Sequence, residues 1–171
     1  FYTVIEERQA RSAVVVGEAG LGKSRLLYEF ENWGDLQPVN VQLYRGRARL
    51  ETQHLPFGLL RDVFVFRCGI YDDDEPPTVR DKLVAGFRAL LGDDMAEMAA
   101  HRVGHLLGYD FSASPHVGPL LGDARQLRLV ASQHVAAYFR AATERAPLVL
   151  LLEDLHWADD SSLEAIEALL T

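Results

Sequence analysis

The chain contains a single cysteine, Cys68, so no internal disulfide can form. That suits a reducing compartment. Lysine is almost as scarce: of seventeen basic residues only Lys23 and Lys82 are lysines, and the arginines are scattered rather than clustered. With a formal net charge of -8, nonspecific nucleic-acid binding and an anionic membrane surface are poor expectations for this segment. No apolar run reaches the length of a spanning helix, and nothing resembles a signal peptide. The expectation is a soluble, cytoplasmic protein. Internal repeats and low-complexity tracts are also missing.

What is present is concentrated in one short segment. Residues 17–24 read G-E-A-G-L-G-K-S and follow the apolar run Ala13-Val14-Val15-Val16. This is the P-loop pattern G-x-x-x-x-G-K-[ST], in the required order of strand, glycine-rich turn and helix. Glycines at 17, 20 and 22 permit backbone angles and close approach that side chains would block. Successive N–H groups can then converge on phosphates, reinforced by the helix N-terminus. Lys23 would reach the β- and γ-phosphates, and the Ser24 hydroxyl would hold Mg²⁺. The nucleotide-binding set is Gly17, Glu18, Ala19, Gly20, Leu21, Gly22, Lys23, Ser24 and the adjoining Arg25.

A second motif lies far along the chain. Leu148 to Leu152 is a purely apolar run followed by Glu153-Asp154, the form of a Walker B strand. Open α/β sheets bind ligands at the carboxyl ends of their strands, where these carboxylates fall. Glu153 takes the metal position and Asp154 that of the acid that orients attacking water. Many P-loop ATPases carry Asp and then Glu, so the order here is reversed, and the shorter acid in the second place predicts slow hydrolysis. Lys23, Glu153 and Asp154 form the candidate catalytic set, and Ser24 and Glu153 the candidate metal ligands. The only asparagines, Asn32 and Asn40, begin no Asn-Lys-x-Asp motif, and no Leu-Ser-Gly-Gly-Gln signature is present. Those absences favour ATP over guanine nucleotides and argue against a transporter.

The 171 residues fit one domain. Strands are predicted at 12–16, 39–45 and 148–152, and helices at 22–33, 57–66, 78–91, 94–107, 123–145 and from 161 onward. In the helix over 22–33, Leu26, Leu27 and Phe30 form the inner face. Thr78 with Asp81, and Ser161 with Glu164, read as capping boxes. The alternation predicts a parallel sheet covered by helices, with core segments 12–56 and 146–171 around a mainly helical segment 57–145. With few strands, a start shortly before the first of them and an end inside a helix, a fragment of a larger module is expected. Other side chains carry less chemistry. His101 and His105 have a zinc-compatible i, i+4 spacing but no third ligand. Asp159 and Asp160 end a loop and help cap the last helix, Asp72 to Glu75 is solvated surface, and Cys68 is a packing residue. His156-Trp157 beside the acids serves packing, or a contact with nucleotide or a neighbouring domain.

Four segments in order carry a family resemblance: G-E-A-G-L-G-K-S-R-L-L at 17–27, L-P-F-G-L-L-R at 55–61, H-R-V-G-H-L-L-G-Y-D-F-S-A-S-P-H at 101–116, and L-L-L-E-D-L-H-W-A-D-D-S-S-L at 150–163. Together they resemble the AAA-like regulatory ATPase domain beside bacterial class III adenylate/guanylate cyclases, with relatives in large LuxR-type regulators of the STAND group. The resemblance implies a three-layer αβα P-loop core, truncated at both ends, that binds ATP and Mg²⁺ and switches attached signalling or output domains. The sensor and arginine-finger residues of the family fall outside this chain, which implies weak hydrolysis here. A catalytically degenerate interaction module and a small-molecule phosphotransferase are the alternatives. The latter lacks an Arg-rich lid, since 112–122 contains no arginine.

Overall fold

Two parallel strands join distant parts of the chain. The computed structural model describes residues 2–7 and 9–170. Among them the α-helices are α1 (Tyr2–Glu7), α2 (Lys23–Asp35), α3 (Gly58–Cys68), α4 (Pro76–Leu91), α5 (Asp93–Leu106), α6 (Ala124–Arg145) and α7 (Asp160–Glu167), and the strands are β1 (Gln42–Arg47) and β2 (Leu148–Glu153). The strands pair in parallel from Gln42 opposite Leu148 to Arg47 opposite Glu153. This is the α/β organisation that the alternating pattern predicts, of the P-loop NTPase-like class.

The densest packing lies between α3, α4, α5, α6 and the sheet. Tyr44 of β1, Phe64 of α3, Phe87 of α4, and Tyr138 and Phe139 of α6 form one buried aromatic group. The Phe64 and Phe87 rings stack at 5.6 Å, and Phe87 meets Tyr138 at 4.7 Å. Small residues let these layers approach. A Cβ on Gly46 would lie 2.6 Å from Val63, and one on Gly104 would lie 2.3 Å from the Phe111 ring. Most of the buried core residues come from the helical segment 57–145, packed against Tyr44 of β1 and the side chains of β2.

Several boundaries differ from the sequence expectation. Residues 12–16 form no strand, and Val14, Val15 and Val16 are exposed. A strand needs a hydrogen-bonded neighbour, and among the described residues the edge of β2 away from β1 bears none. Strand β1 starts three residues later than expected. On α2, Leu26 of the expected inner face is exposed, while Leu27 and Phe30 are half-buried, and Phe30 lines a small pocket with Trp33, Gly34, Val41, Leu43 and Val149. Helix α4 begins at Pro76, where a missing N–H costs nothing, so Thr78 lies inside the first turn and caps nothing. The cap of α7 is Asp159 rather than Ser161. Asp123 caps α6 by accepting from the Gln126 N–H at 3.0 Å, in line with the expected start. No described helix is long and apolar enough to cross a membrane.

Candidate functional site

The glycine-rich turn leads into the start of α2 without the expected strand before it. Gly20 (φ +84°) and Gly22 (φ +87°) are both left-handed, where a side chain would be strained. Lys23 begins α2, and its Nζ folds back to donate to the carbonyls of Gly17 and Glu18, each at 2.8 Å. The ammonium group thus sits against the loop's own backbone. The first amides of α2 have no acceptor within the helix, and the first bond of that ladder runs from the Leu26 N–H to the Gly22 carbonyl at 2.9 Å. Space beside Gly20 and Gly22 is open. Loop, lysine and helix end together fit a polyphosphate. Ser24 is exposed in the first turn, and Arg25 is turned along the helix, paired with Glu29 at 2.7 Å.

The acidic strand end is built differently. Glu153, the last residue of β2, is only 8% exposed, and Arg45 Nη2 donates to its Oε1 at 2.6 Å. The hydrogen bond to Glu153 raises the Arg45 pKa against the opposing effect of burial. Arg45 also lies 3.7 Å from Glu31 of α2, so it links the helix that begins at Lys23 to the carboxylate at the end of β2. Asp154 follows in a left-handed conformation (φ +56°) and accepts from Arg47 Nε at 2.8 Å. That bond is the main reason the Arg47 pKa is raised. Among the described residues no hydrogen bond or ion pair joins residues 17–25 directly to Glu153 or Asp154. Arg45, Arg47 and Glu31 are the part of the site that the sequence reading missed. Its signal is the R-G-R end of β1, but only the strand register shows that these arginines meet the acids.

Asp159 does more than end a loop. Its Oδ1 accepts from the N–H groups of Ser162 and Phe57, each at 2.8 Å, and its Oδ2 from the Ser162 hydroxyl at 2.7 Å and the Leu59 N–H at 3.3 Å. One carboxylate thus caps α7 and holds the start of α3. Burial opposes its charge, yet the Ser162 and backbone hydrogen bonds prevail and hold its pKa below the usual value. The segment after the acids is thereby anchored to the helical core. His156 and Trp157 lie with ring centroids 4.8 Å apart, tilted by 49°, in a short 3₁₀ turn (Leu155–Trp157) within that segment.

The remaining candidates separate clearly. Burial pushes the Cys68 thiol up to about 11, in keeping with packing rather than nucleophilic chemistry. His101 does not gather with His105, whose Nδ1 is buried without a partner. It lies instead with Glu97 and His116. Asp74, within the acidic surface run, pairs with Lys82.

The family model described as "AAA ATPase domain" matches residues 1–171. No curated protein and no solved structure matches the chain significantly.

Proposed function

The chain belongs to the AAA ATPase domain family, a nucleotide-binding ATPase module, and on that premise we propose that residues 17–25 bind Mg-ATP and that the domain is a regulatory switch for attached signalling or output domains. The observation that carries the proposal is the turn at 17–24, with two left-handed glycines and the Lys23 ammonium held over its carbonyls at a helix N-terminus. Lys23 exchanges those carbonyl contacts for phosphate oxygens, and the α2 amides add hydrogen bonds to the same anion. Ser24 and Glu153 are the residues to hold Mg²⁺, which supplies neutralisation of phosphate charge when bound. Asp154 is the residue to orient the attacking water.

Both acids are held by arginines, so phosphate binding is more fully prepared than hydrolysis. Release of Glu153 from Arg45 would free it for the metal and loosen the link to Glu31 on α2. That exchange is the proposed physical basis for switching, because it changes what joins the nucleotide helix to the sheet. The proposal is tested by titrating a fluorescent ATP analogue, with Mg²⁺, into the intact protein. Lys23→Ala should weaken binding by about 10- to 100-fold, the scale of a lost charged hydrogen bond. Unchanged affinity would refute the assignment.

The arginine pairs also favour a second reading, a module that binds nucleotide without turning it over. Multiple turnover in the intact protein, abolished by Asp154→Asn, would exclude it.

A further inference from the structure

We propose that Glu97, His101 and His116 form a binding site for a divalent transition-metal ion of the zinc class, away from the nucleotide segment. A ring nitrogen of each histidine and a carboxylate oxygen of Glu97 lie within 4.8 Å of one another. Glu97 and His101 are one turn apart on α5, and His116 comes from the irregular segment between α5 and α6. The site therefore depends on that segment folding back over α5.

The fold-back is built, not incidental. The Ser114 hydroxyl lies 2.8 Å from His101 Nδ1 and accepts the His116 N–H at 3.1 Å. Arg102 Nε donates to the His116 carbonyl at 3.0 Å. Two neighbouring side chains thus fix the backbone that carries His116, and a third contact orients the His101 ring. In the tautomer that donates from Nδ1 to Ser114, His101 keeps a bare lone pair on Nε2. A hydrogen bond on the far nitrogen is the usual partner arrangement of a metal-binding imidazole.

The donor set suits zinc. Two imidazoles and one carboxylate are borderline ligands, and three protein groups leave a fourth position for water. Tetrahedral coordination at bond lengths near 2.05 Å places donors roughly 3.3 Å apart. His116 Nε2 and Glu97 Oε1 are already at 3.9 Å. Glu97 is 61% exposed on its side chain, so it can close the remaining gap by a rotamer change without disturbing the core. Two neighbouring arginines have partners of their own. Arg102 contacts the His116 carbonyl and His134, while Arg80 lies over the Phe111 ring and reaches the Asp110 carbonyl. A bound ion would pin residues 112–122 to α5 and stiffen the helical core.

The test uses the chelator-treated protein, titrated with Zn²⁺ alone by calorimetry, with Co²⁺ as a spectroscopic substitute. One equivalent should bind, and the Co²⁺ form should show the visible absorption of a four-coordinate site. His116→Gln and Glu97→Gln, both at accessible positions, should each weaken Zn²⁺ binding at least about tenfold while leaving the far-UV spectrum intact. His105→Gln should bind as the parent does. No Zn²⁺ binding by the parent would overturn the site, as would parent-like affinity in both the His116 and Glu97 variants. Equal loss in the His105 variant would also overturn it, because the ion would then sit on other ligands.

Discussion

Arg45 reaches diagonally across the parallel pair to Glu153, two residues beyond its register partner Leu151, with Nη2 donating to Oε1 at 2.6 Å. The same guanidinium lies 3.7 Å from Glu31. A buried carboxylate at a strand end is tolerable because a cation answers it. The residue expected to hold a metal is thus neutralised by the protein itself, and the proposed switch requires it to exchange that partner.

Removing that cation should be costly. Arg45→Met leaves Glu153 buried and unpaired, and urea denaturation should show a loss of about 1–3 kcal/mol, the cost of an orphaned buried acceptor. Adding Glu153→Gln should recover part of it. Strict additivity in the double-mutant cycle would show that the pair is not coupled.

Asp159 should be the most sensitive polar position in the chain. Asp159→Ala removes acceptors from the starts of two helices, so a loss of about 2–4 kcal/mol is expected, roughly two caps' worth. Its folded-state pKa is lowered. The associated stability is therefore fully present above the unfolded-state Asp value, near 3.9, and drains away as pH falls through the lower folded value. Denaturation between pH 6 and pH 2 should show less acid sensitivity in Asp159→Asn than in the parent. An identical pH slope would contradict this account.

Two glycine substitutions should move in opposite directions. Gly104→Ala drives a methyl group into the Phe111 ring, at 2.3 Å, and should cost about 1–3 kcal/mol by overpacking. Gly34→Ala, inside α2 with nothing within 4 Å of the added carbon, should stabilise by about 0.5–1 kcal/mol. Thermal melts of the two variants separate close packing from chain entropy.

Lys23 offers a clean separation of binding from folding. Its two hydrogen bonds are exposed. Lys23→Ala should therefore change unfolding free energy by less than about 0.5 kcal/mol while removing nucleotide affinity. A large stability loss would mean that the lysine serves the fold.

Much of this protein could be read locally. Residues 17–24 dictate a tight turn because glycine takes the left-handed angles at 20 and 22 without strain. The apolar run 148–152 dictates a strand, and Asp123 announces the start of α6. These signals survive because they depend on neighbours in the chain. The run 13–16 has the same composition as a buried strand yet pairs with nothing, since a strand is made by its neighbour. Thr78 failed as a cap because the two prolines before it already satisfy a helix start. What the tertiary structure alone decided is which distant groups meet: Arg45 and Arg47 with the acids through strand register, Asp159 with the start of α3, and His116 with His101 in place of His105. Pairings of that kind depend on register and on how a loop folds back, and no local pattern encodes either.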